Sequence, residues 1–130
     1  MPSKTAVVLL ASALFFAAPA AAQSVSFKEI EARVREYRKW LDQVGSNGAR
    51  FWVRLDSSKR PHRLYVGEGF TRADYAEKEQ FVEIFSHYLA GHPEKFMLID
   101  LFDAATGQPI GEYGFGGFKL FGAEDGVSRP

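Results

Sequence analysis

From Ser26 onward, apolar residues fall at helical spacing. Ile30, Val34, Tyr37, Leu41 and Val44 make one stripe, which predicts a helix from about Phe27 to Val44. Ser26 and Glu29 fit a capping box at its start, Val25 and Ile30 fit a hydrophobic staple, and Gly45 fits its stop. A second stripe, Phe81, Ile84, Phe85, Tyr88 and Leu89, predicts a helix from about Arg72 to Ala90. Thr71 and Asp74 are the expected caps, and Gly91 and Pro93 the expected terminators.

Each helical stretch is followed by two strand-like runs. Ala49–Asp56 and His62–Gly67 flank one Pro-containing turn, and Lys95–Asp103 and Ile110–Phe115 flank another. Gly117–Phe121 alternates and adds a short fifth run. The halves align at an offset of 47, lengthening to 48, with Tyr65, Gly69 and Phe70 falling on Tyr113, Gly117 and Phe118. The expected architecture is α+β: a tandem α-β-β repeat forming one antiparallel sheet of four to five strands, both helices on one face. Neither half, at about 45 residues, has enough apolar surface to bury alone.

The N-terminus has a different character. Lys4 precedes an apolar run from Ala6 to Ala18, Pro19 breaks it, and Ala20-Ala21-Ala22 fits the small-x-small rule before a cut at Gln23. Residues 1–22 are therefore expected to be a signal peptide, 23–121 a single domain and 122–130 a flexible tail. The run is short for a membrane span, and no later stretch is apolar enough for one, so the cleaved chain is expected in the periplasm or outside the cell. ATP, NAD and CoA chemistry is not expected there, and no phosphate-cradling glycine loop occurs.

Composition narrows the chemistry further. There is no cysteine, which excludes disulfides, thiol nucleophiles and Cys-ligated metals. Without the leader, 15 basic residues face 16 acidic ones, so no overall positive field gathers nucleic acid. The charge is divided: Lys28–Arg72 carries +5 and Ala73–Pro130 carries −6. That division suits steering onto a dipolar partner or self-association, or local cancellation inside the fold.

Strand alternation supplies the candidate site. Placing Phe51, Val53 and Leu55 on the core side sends Arg50, Trp52 and Arg54 outward. Leu64 and Val66 facing the core send Arg63 and Tyr65 outward as well. The second hairpin sends Leu98, Asp100 and Phe102 to the far side; the register of Ile110–Phe115 is left open by the pattern, but one of its faces carries Tyr113 and Phe115. Arg50, Trp52, Arg54, Arg63, Tyr65, Phe102, Tyr113 and Phe115 thus form an expected partner-binding face, since Arg and aromatic side chains anchor protein interfaces. On this reading Trp52→Ala weakens binding by about 2 kcal/mol and leaves folding nearly intact. The bland counterpart is cross-strand packing, with the guanidinium groups paired to Asp56 and Asp100.

Three function classes follow. The first is a binding module for another envelope protein or a second copy: an inhibitor, immunity-type or accessory factor. The second is a small-ligand sensor or carrier for an anionic sugar or cell-wall fragment, with Trp52, Tyr65 and Arg63 lining a concavity. The third is a hydrolase using His62 or His87, for which spacing supplies no nucleophile and no orienting group. Glu79, Glu83 and His87 share a helix stripe without a third strong metal ligand, so no catalytic residue, metal or cofactor is assigned. The turn Asp103-Ala104-Ala105-Thr106-Gly107 resembles the closing hairpin of PepSY-type extracytoplasmic domains over some ten residues, and implies a turn alone.

Overall fold

The computed structural model describes residues 26–46 and 49–122. The expected leader, and residues 123–130 of the expected tail, lie outside them. The elements run α1 (Phe27–Val44), β1 (Trp52–Asp56), β2 (His62–Val66), α2 (Glu68–Arg72), α3 (Tyr75–Ala90), β3 (Ile99–Asp103), β4 (Pro109–Gly114) and β5 (Gly117–Leu120). No helix among the described residues is long and apolar enough to cross a membrane.

α1 forms where its stripe predicts, with the Ser26–Glu29 capping box closed in both directions. The predicted second helix is instead two. The chain turns at Ala73, and Asp74, not Thr71, is the N-cap of α3: its side chain accepts from the Glu77 amide, and Glu77 returns a bond to the cap. Asp and Glu at this spacing satisfy two of the amides that an α-helix leaves unpaired at its start. α3 ends at Gly91, whose left-handed φ of 70° is readily adopted without a Cβ.

The five strands form one α+β sheet in the order β1-β2-β3-β4-β5. It is mixed, not antiparallel: β2 and β3 run parallel, while the other three pairings are antiparallel. The cause is the 16-residue helix between them. At about 1.5 Å per residue it spans roughly 24 Å, enough to carry the chain back to the starting end of β2. A strand that begins there points the same way as β2.

The helices cover one face. Leu41 of α1, Phe70 of α2 and Phe81, Val82 and Phe85 of α3 pack with Leu64, Val66, Ile99, Leu101 and Phe118 of the sheet in one buried cluster. Phe81 is at its centre, with ring contacts to Trp40, Phe51, Phe70 and Phe85 at 5.3–6.3 Å. Polar ties fix the layers. Arg38 of α1 donates to the Tyr88 hydroxyl of α3 at 2.8 Å, and Tyr75 donates to the Phe118 carbonyl at 3.1 Å. Buried Ser86 donates to the Met97 carbonyl at 2.6 Å and accepts from the Met97 amide at 2.8 Å, which sets the approach to β3.

Candidate functional site

The register separates the two faces of the sheet residue by residue. Leu55, Leu64, Leu101, Gly111 and Leu120 form one row on the helix side. Asp56, Arg63, Asp100, Glu112 and Lys119 form a row on the opposite side. The buried side chains of α1, α2 and α3 all pack on the first side, and Arg54, Arg63 and Lys119 on the second are exposed.

A stack of side chains stands there. The Arg54 guanidinium lies 3.8 Å from the Tyr65 ring centre. Tyr65 stacks on Phe102 at 5.2 Å with 25° between the planes, and Arg63 approaches Phe102 at 5.7 Å. The stack crosses β1, β2 and β3, so three strands hold it in register. Among the described residues neither guanidinium has an ion-pair or hydrogen-bond partner. Asp56 stands directly across from Arg63, but its carboxylate accepts from the Ser58 amide at 3.0 Å and the Ser58 hydroxyl at 2.6 Å. Those two bonds, with lesser help from Arg63 and Arg54, hold the Asp56 carboxyl below its ordinary range.

Of the eight expected site residues, Arg54, Arg63, Tyr65 and Phe102 come together here. The other four do not. Trp52 lies on the helix side, against the expectation: its ring meets Phe85 edge-on at 5.1 Å and its indole N–H donates to the Leu41 carbonyl at 2.8 Å. The cause is a β-bulge between Trp52 and Arg54. One extra residue, Val53, is turned outward, so Trp52 and Leu55 both face the helices. Tyr113 is also on the helix side, paired with Ile99 and Phe118. Burial pushes its hydroxyl pKa up, and Glu83 and Glu79 of α3 add to the shift. Phe115, 91% exposed, sits in the turn after β4 rather than on the sheet face. Arg50 precedes β1, where its carbonyl accepts from the Gly69 amide at 2.8 Å.

Sequence reasoning missed one neighbour. Phe96 packs edge-on against Phe115 at 5.5 Å and against the helix-side Tyr113 at 6.0 Å, so this pair lies at the end of the sheet, beside exposed Leu98, rather than on the face. A Cβ on Gly114 would meet Leu98 at 3.1 Å, which places Leu98 over the β4 side of this end. Phe96 lies in the expected Lys95–Asp103 run but before β3 begins, where the chain has left the sheet and alternation no longer fixes its side.

The expected concavity does not form from its three residues, because Trp52 stands on one layer and Tyr65 and Arg63 on the other. A cleft of about 190 Å³ does involve Trp52, but it lies between α1, β1 and α3, with Arg38, Asp42 and Tyr88 at its walls. That volume is below the usual range for ligand pockets.

The histidines have structural settings. His87 Nδ1 bonds the Lys95 carbonyl at 2.6 Å, and its ring stacks on Tyr37. His62 is 3% exposed, with Nδ1 on the Ser57 hydroxyl at 2.8 Å and Nε2 buried without a partner. Among the described residues no carboxylate bonds this pair. Burial, reinforced by the Arg60 charge, lowers the His62 pKa. The unfolded chain protonates near the ordinary histidine value of about 6.5, and the folded chain only below it. Stability is therefore complete above about pH 6.5 and declines as pH falls from there toward the folded value. His62→Leu removes this titration, and urea midpoints between pH 7.5 and 5 should then vary less than in the wild type. An unchanged slope would assign the sensitivity to another group.

No family model matches this chain, and neither the curated proteins nor the solved structures contain a significant match to it.

Proposed function

We propose that this chain is an exported binding module of the cell envelope, not an enzyme. It docks the sheet face opposite the helices on another protein and acts as an inhibitor, immunity-type or accessory factor. The observation that carries this reading is the Arg54–Tyr65–Phe102 stack with Arg63, ordered by three strands and, among the described residues, without an ion-pair or hydrogen-bond partner for either guanidinium group. Ordered aromatic and Arg side chains lose little entropy on binding, which is why they serve as anchors. Export is supported by Lys4, the apolar run to Ala18 and the Ala20-Ala21-Ala22 cut, and leads to the periplasm or beyond. We also read the order helix, hairpin, helix, hairpin as the product of duplication, supported by the 47- and 48-residue offsets.

Phe102→Ser tests the docking. Phe102 is outside the buried core cluster, so the substitution leaves the unfolding midpoint nearly unchanged. Expressed with its own leader, the variant should lose partners that the wild type retains from an envelope extract, by about 2 kcal/mol in affinity. Equal retention by both proteins would remove the face from the proposal.

A further inference from the structure

We infer that His62 is an acid-operated latch on the β1–β2 hairpin. Its protonation opens the turn end of the hairpin and draws Arg54 away from the Tyr65 ring, so that docking weakens in acid while the rest of the domain stays folded. The weakened docking rests on the function proposed above; the opening is a property of the chain alone.

His62 is the first residue of β2, buried, with its Nε2 unpartnered. Its Nδ1 bonds the hydroxyl of Ser57, the residue that follows β1, and so ties the two strands together at their turn end. A neutral imidazole carries one N–H, and its bond to Ser57 can be made in either direction. Protonation makes both nitrogens donors and adds a charge, and Nε2 has no acceptor among the described residues. A buried, unpaired donor on a charged ring is costly, so the ring takes its proton where it reaches water. Lower pH therefore favours any state that delivers His62 to solvent. Arg60 is the charge that acts on the ring, and it opposes protonation. The flanking strands present Ser57 and, in register on β3, Ile99, both uncharged. Asp56 and Asp100, one position along those strands, stand on the opposite face. Among the described residues no charged group of α1, α2 or α3 acts on the ring.

The shortest way out is local. Ser57, Ser58, Lys59 and Arg60 are exposed. Their turn is held by bonds of short range, from Ser58 to Asp56 and from Arg60 to the Ser57 and Lys59 carbonyls. Among the described residues β1 is an edge strand and pairs with β2 alone. Inward from the turn the pairs are Asp56–Arg63, Leu55–Leu64 and Arg54–Tyr65, so fraying that releases the turn end reaches Arg54 at the third pair. Past Arg54 the strand is anchored again. Trp52 packs edge-on against Phe85 and donates to the Leu41 carbonyl, which ties the far end of β1 to both long helices. A hairpin free at one end and pinned at the other opens below the free energy of global unfolding.

Amide hydrogen exchange of the full chain, followed by NMR and corrected for the intrinsic effect of pH, tests the latch. At pH 7.5 the amides that pair β1 with β2 should be at least about tenfold less protected than the slowest amides of α3. On going to pH 5 their protection should fall at least about fivefold in the wild type and less than about twofold in His62→Leu, with the helical circular dichroism kept by both. His62→Gln is a second variant that does not titrate, so the comparison holds if leucine at this buried position prevents folding. Equal protection of the hairpin and α3 would place the titration in global unfolding and overturn the latch. So would a fall of the same size in the wild type and the non-titrating variant. Retention of envelope partners should drop between pH 7.5 and 5 for the wild type and stay level for the variant; level retention by the wild type would overturn the link to docking. The docking function fails separately: if Phe102→Ser keeps the partner at pH 7.5, the face is wrong, while the opening measured in the isolated protein stands.

Discussion

Phe81→Ala should destabilise the domain by about 4 kcal/mol, the largest effect expected of a single substitution here. Phe81 is fully buried and meets aromatic rings from α1, from the approach to β1, from α2 and from its own helix. Truncation leaves a cavity that these neighbours can fill only by moving backbone, because each belongs to a different segment. Small domains have about 5–15 kcal/mol of stability in total, so the variant should be partly unfolded at physiological temperature. The urea midpoint should fall with little change in slope. A loss under about 1.5 kcal/mol would mean that the cluster is not packed around this ring.

Trp52→Ala comes next, at about 3 kcal/mol. Two terms add: the edge-on packing with Phe85, and the bond from the indole N–H to the Leu41 carbonyl. That carbonyl belongs to the last turn of α1, where main-chain acceptors have no partner within the helix. The neighbouring Phe51 amide serves the Val44 carbonyl in the same way, at 2.7 Å. Trp52→Phe keeps a ring and loses the donor, so it should fall between wild type and alanine. Affinity for an envelope partner, measured under folding conditions, should be retained by both variants. Intact folding with lost binding would restore Trp52 to the docking face.

The fate of Trp52 illustrates which parts of this fold were legible. The stripes of α1 and α3 follow from side chains at fixed angles around a helix, and the capping box at Ser26 is a local device. Both depend on neighbours within a few positions. The strands were located for the same reason. Sheet polarity was not, because it depends on where a helix delivers the chain, and residues 67–98 had to be read as one returning path. The faces of β2 and β3 were legible, and Arg63, Tyr65 and Phe102 stand where alternation places them. In β1 the bulge shifts parity by one, and nothing in a run of Phe, Trp, Val, Arg and Leu announces the extra residue. Arg54 stayed outward because it lies beyond the bulge, while Trp52 before it changed sides. Tyr113 was misplaced because the start of β4 was uncertain by one position, and one position exchanges the faces.

The division between faces gives the two aromatic sets separate work. Phe81, Phe85 and Trp52 hold helices to the sheet, while Tyr65 and Phe102 contribute little to that cluster and order two arginines instead. Substitutions in the first set should change stability, and those in the second should change association.

Hydroxyl-radical footprinting of the protein in its native envelope, compared with the purified protein, tests this division most directly. Oxidation of Tyr65 and Phe102 should fall in the envelope, while exposed Tyr75 on the helix layer should react equally in both settings. Unchanged oxidation of Tyr65 and Phe102, or protection confined to Tyr75 and the helices, would contradict it.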